Sequence, residues 1–92
     1  MSAPVTIRAL RNFRIKHKIS LREIAEEAGT TQQWISLVEL GKTPASDRSN
    51  YRIARAIQLV IMSRKQALAR MEREFNAIKG NLYKEETEWT DP

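Results

Sequence analysis

Apolar positions along this chain recur at steps of three and four, and no stretch alternates apolar with polar as a half-buried strand would. The pattern predicts an all-α chain of helices joined by short turns. A first helix is expected from about Val5 to Lys16, with Pro4 suited to its first turn, where a missing N–H costs nothing. Ser20-Leu-Arg-Glu23 reads as a capping box, in which the Ser20 hydroxyl accepts from the Glu23 amide and the Glu23 carboxylate reaches back. The second helix then runs to about Ala28. Gly29 ends it, since glycine enters the left-handed region without a side-chain clash. Thr31 is the next N-cap candidate, and the third helix, Gln32 to Leu40, is closed by Gly41.

Lys42 to Ser46 is a loop containing Pro44, after which Asp47 or Ser49 caps a fourth helix with Ile53, Ala54, Ile57 and Val60 on one face. Ser63-Arg-Lys-Gln66 offers a further capping box and starts a fifth helix. That helix carries Leu68, Met71, Phe75 and Ile78 as an apolar stripe, and Gly80 ends it. No glycine or proline lies between residues 45 and 79, so the last two helices either break near Ser63 or join into one rod; a break is expected. The stripe either packs back on the same domain or meets its copy across a two-fold axis, and the second arrangement is expected. The chain therefore divides into a helical body over residues 1–62, an amphipathic helix over 63–80 and a tail over 81–92.

Composition narrows the chemistry. The 92 residues suit a single small domain with a tail. There is no cysteine, which excludes disulfides, thiolate metal sites and thiol catalysis, and the single histidine, His17, excludes a multi-histidine metal site. His17 lies between Lys16 and Lys18 and reads as a surface residue. No serine has a histidine–acid arrangement, no glycine-rich phosphate loop occurs, and no enzyme, cofactor or metal is expected. No apolar run reaches membrane-spanning length and the N-terminus lacks a secretory signal, so a cytoplasmic protein without membrane contact is expected. The net charge of +5 is unevenly placed: the first 80 residues carry +8, and the tail, with Lys84 against Glu85, Glu86, Glu88 and Asp91, carries −3. A basic body points to a polyanionic partner. The acidic tail has no sustained period and is expected to be unstructured, although Leu82, Tyr83 and Trp89 would let it dock.

Ser20 to Thr43, read as SLREIAEEAGTTQQWISLVELGKT, resembles the Cro/C1-type (XRE) helix-turn-helix family, the class of the lambdoid phage repressors. The resemblance extends back to Leu10-Arg-Asn-Phe-Arg14 and forward to Tyr51-Arg-Ile-Ala-Arg-Ala-Ile57. It covers roughly 50 residues over four helices, far more than a lone short motif. It implies a lambda-repressor-like five-helix DNA-binding domain, with the helix-turn-helix at the second and third helices. It implies double-stranded DNA as partner, entered through the major groove by the N-terminal end of the third helix. Gln32, Gln33, Ser36 and Leu37 are then the base-contact candidates. A glutamine amide offers one donor and one acceptor in a plane, matching adenine N6 and N7. Arg22, Thr31, Trp34, Lys42 and Thr43 are the backbone-contact candidates. Trp34 is expected to point outward, because Ile35 and Val38 already fill the core stripe; it otherwise packs against the loop before the fourth helix. Arg14 and Glu39 match a family ion pair that bridges the first helix to the end of the third, a structural role.

Two positions depart from the family pattern. Leu21 stands where a phosphate-contacting glutamine is frequent, so that contact is lost or supplied by Arg22, and Lys18 stands where glycine is frequent. The reading implied is a sequence-specific transcriptional regulator, a homodimeric repressor on a palindromic operator, with Leu68, Met71, Phe75 and Ile78 at the dimer interface. Small regulators of this build occur in phages, mobile elements and restriction–modification circuits. No sizeable effector domain is expected within these 92 residues, so regulation would come through concentration, degradation or a protein such as an antirepressor. The alternative is an antitoxin that binds a toxin through its tail and represses its own operon. A third reading, an adaptor that has lost DNA binding, is opposed by the glutamine pair and the basic body.

Overall fold

The computed structural model describes residues 8–44 and 46–90, and these form four helices and no strand. The helices are α1 (Ala9–Lys16), α2 (Leu21–Ala28), α3 (Gln32–Glu39) and α4 (Asp47–Ile78). The expected start of the first helix at Pro4 and Val5 lies outside the described residues.

Local chemistry sets the boundaries. Ser20 caps α2 by accepting from the Glu23 amide at 3.0 Å. The expected capping box is only half formed, because the Glu23 carboxylate turns instead to Arg64 at 3.0 Å, where a charged donor outbids a backbone amide. Gly29 follows α2 at φ 66° and Gly41 follows α3 at φ 74°, both left-handed. Thr31 caps α3 by accepting from the Trp34 amide at 3.1 Å. At α4 the cap is Ser46, one residue before the first of the two expected candidates, Asp47, and the second, Ser49, completes a reciprocal capping box with it.

Where five helices were expected, the described residues show four. α4 runs through Ser63 without interruption for 32 residues, about 48 Å at 1.5 Å per residue. Inside an established helix the Ser63 and Gln66 amides already have carbonyl partners, so their capping signal has nothing to satisfy. Arg, Leu, Ala, Met and Glu, all strong helix formers, carry the rod onward to Gly80.

The core gathers Ile19, Ile24, Ala25, Ile35, Val38, Ile53, Ala56 and Val60, with Leu10, Leu21, Ala28, Trp34 and Ile57 packed around it. The proximal part of α4 thus buries Ile53, Ala56 and Val60; Ala54, expected on that face, is exposed. α2 sits at the centre, packed on both α3 and α4. Beyond Val60 no residue of α4 is buried, and the helix leaves the body as an arm that gives the molecule a 55 Å long axis. Residues 81–90 carry no helix or strand and are exposed throughout. None of the described helices is long and apolar enough to cross a membrane.

Candidate nucleic-acid interface

The periodicity of α3 sorts its residues into two faces. Ile35, Val38 and Glu39 are buried, and the opposite side presents Gln32 and Gln33, both exposed, with Ser36 and Leu37 half-buried one turn further on. Gln32 and Gln33 occupy the first turn, where the Thr31 cap fixes the chain path. The Thr31 hydroxyl accepts from an amide and keeps its own O–H free to donate. Lys42 is exposed and Thr43 half-buried just past the other end of α3. The Arg8 guanidinium lies beside Gly41, so close that a side chain at that position would meet it at 2.9 Å. The surface around α3 is therefore amide at its N-terminal end and basic at its C-terminal end.

Three anchors hold this face. The first is the ion pair between α1 and α3. Arg14 Nε and Nη2 donate to the two Glu39 oxygens at 2.5 and 3.2 Å, and Nη1 donates to the Ile19 carbonyl. The Glu39 side chain is wholly enclosed, and Arg11 approaches its other flank at 3.7 Å. A bidentate pair with these satisfied donors sets an angle between elements more than it adds net stability.

The second anchor is Arg52, which sequence reasoning did not single out. From α4 it donates Nε to the Ala28 carbonyl and Nη2 to the Gly29 carbonyl, both at 2.8 Å. These are carbonyls that the end of α2 leaves unpaired. The same guanidinium lies 5.6 Å from the centre of the Trp34 ring, within cation–π range. Trp34 consequently does not point outward as expected. It is half-buried, folded against the core and under Arg52, and so braces the first turn of the glutamine-bearing helix.

Arg64 is the third. It donates to the His17 and Lys18 carbonyls at 2.7 and 2.9 Å and to Glu23 at 3.0 Å, tying α4 to the α1–α2 turn. No sequence signal marks Arg52 or Arg64, since their partners, main-chain carbonyls and for Arg64 also Glu23, are distant in sequence. Of the remaining candidates, Arg22 is exposed and paired with Glu26 at 2.9 Å on its own helix. His17 is exposed and its ring lies 4.7 Å from that of Phe13. Among the described residues no cluster of His, Asp and Glu has metal-ligand proximity.

Two short helices crossing a left-handed glycine turn, with the second presenting an exposed polar face on a buried scaffold, define a helix-turn-helix domain. A family model described as helix-turn-helix matches residues 10–60, more than half of the chain, and the chain belongs to this family, the Cro/C1-type class of DNA-binding transcription regulators. Neither the curated proteins nor the solved structures contain a match to it.

Proposed function

We propose that this protein is a sequence-specific repressor that binds a palindromic operator as a homodimer, acting in the cytoplasm. The observation that carries the reading is the outward pair Gln32 and Gln33 on the first turn of α3, a helix capped by Thr31 and tied to α1 through the Arg14–Glu39 pair. In the bound state α3 lies in the major groove, Gln32 and Gln33 meet base edges, and Ser36 and Leu37 meet bases or a thymine methyl. Arg22, Thr31, Lys42 and Thr43 contact phosphates and fix the register. Arg22 must leave Glu26 to do so, an exposed pair that costs little to break. Leu68, Met71, Phe75 and Ile78 pair with their copies, adding a second half-site.

The deciding experiment is selection from a pool of random duplex DNA at near-physiological salt. Recovery of a short palindrome with half-sites about one turn apart supports the dimeric base reader. No enrichment rejects it. The tail favours a second reading, as an antitoxin: Tyr83 is 97% exposed and Trp89 78%. Co-purification with a small protein encoded next to this chain, lost on deleting residues 81–92, separates that reading from the first.

A further inference from the structure

The exposed stripe on α4 has a beginning, and that beginning decides how a second copy can lie on it. The helix face that bears Ile53, Ile57 and Val60 continues through Arg64, and the chain's own body covers it that far. Arg64 is bound to the His17 and Lys18 carbonyls and to Glu23. Past this point the same face is bare. Leu68 is 61% exposed, Met71 62%, Phe75 51% and Ile78 41%. Their alternating steps of four and three repeat with the seven-residue period of a two-stranded coiled coil. Glu72 and Glu74 flank this seam inside it, with Lys65 and Lys79 near its two ends.

Two helices can share the window from Leu68 to Ile78 in two orientations. Run antiparallel, with Leu68 opposite Ile78 and Met71 opposite Phe75, the seam closes but the flanks conflict. Glu72 then faces Glu72 of the other copy, Glu74 faces Glu74, and each Lys65 faces a Lys79. Sliding the antiparallel pair by one heptad relieves this, but it drives Phe75 and Ile78 onto Arg64 and Ile61, where the α1–α2 turn already sits on Arg64. Run parallel and in register, each apolar residue meets its own copy. Glu74 of each chain then faces Lys79 of the other, and Glu72 faces the neutral Ala67. The apolar seam supplies the attraction, and the like-charge conflicts reject the alternative.

Resting on the homodimer reading above, we infer that the distal arm of α4 pairs with a second copy as a parallel, in-register two-helix coil from Leu68 to Lys79. Both helix-turn-helix units then emerge from the same end of the coil and address one stretch of duplex. An antiparallel pair would instead hold them at opposite ends of the joined arms.

The absence of native cysteine makes the test direct. Single variants Leu68→Cys and Ile78→Cys are made in the full chain and oxidised under mild conditions, separately and as a mixture. A disulfide needs Cα atoms within about 7 Å. The parallel coil predicts efficient self-linking of each variant, with Arg73→Cys on the outer face as the unreactive control. Preferential linking of the Leu68→Cys chain to the Ile78→Cys chain in the mixture overturns the orientation and leaves the homodimer standing. A monomer mass in sedimentation at high protein concentration, with no linking, overturns both. As a second arm, Glu74→Lys is expected to weaken dimerisation at least severalfold and Glu74→Lys with Lys79→Glu to restore it. Failure of the reversal to rescue removes the charge argument.

Discussion

Lys18 sits at φ 53°, a left-handed conformation that crowds any Cβ, because the chain must turn sharply from α1 into Ile19 of the core. The frequent glycine of the family pattern is thus explained by a backbone angle, and this chain carries a strained lysine in its place. Lys18→Gly is expected to stabilise the fold by about 0.5–1 kcal/mol, raising the melting temperature by a few degrees in thermal circular dichroism. Unchanged or lower stability would show that the angle is not strained. Gln33 belongs to the same scale. Gln33→Ala is expected to weaken binding to the selected operator by about 1–3 kcal/mol and to relax preference at one base pair, with non-specific binding nearly unchanged. A uniform loss on all duplexes in titration would remove its base-reading role. At this scale the sequence is most transparent, because the glutamines, the caps and the turn glycines each act through their own local chemistry. Arg52 and Arg64 escape it, because an arginine that serves a remote carbonyl looks like any other surface arginine.

Among the elements, α2 and α3 follow from their caps, since Ser20, Gly29, Thr31 and Gly41 mark all four ends and the turn between them. The fusion of the last two predicted helices into α4 is the element the pattern misjudges. Ser63 and Gln66 carry the same letters whether they start a helix or lie inside one, and the absence of any glycine or proline before Gly80 was the better guide. From the second turn of α4, Arg52 reaches into the turn between α2 and α3. Arg52→Ala is expected to cost about 1–2 kcal/mol of stability by urea unfolding and to shift Trp34 emission, read on a Trp89→Phe background. Operator affinity is expected to fall about tenfold, a loss that Arg52→Lys does not rescue because an ammonium lacks the fork that spans two carbonyls. An unaltered Trp34 spectrum would deny that Arg52 braces the reading helix.

For the molecule as a whole, the basic body and the acidic tail were legible from charge counting alone, whereas the stripe left two arrangements open, because an apolar stripe looks the same whether its own domain covers it or not; in the described residues its own domain does not cover it. Removing residues 81–92 raises the net charge from +5 to +8. That truncation is expected to tighten non-specific duplex binding severalfold at low salt, with the gain shrinking as ionic strength rises and base preference unaltered. No change in the salt titration would mean that the tail does not act through its charge. The unbroken α4 has one further consequence. Every added residue turns a helix by about 100°, so with no hinge between Ile53 and Ile78 the azimuth of the distal stripe relative to the reading face is a matter of residue count. Two residues inserted there would swing the stripe to roughly the opposite side of the shaft, whereas seven would return it to within about 20°. The distance between the two faces of this protein is stored as an angle.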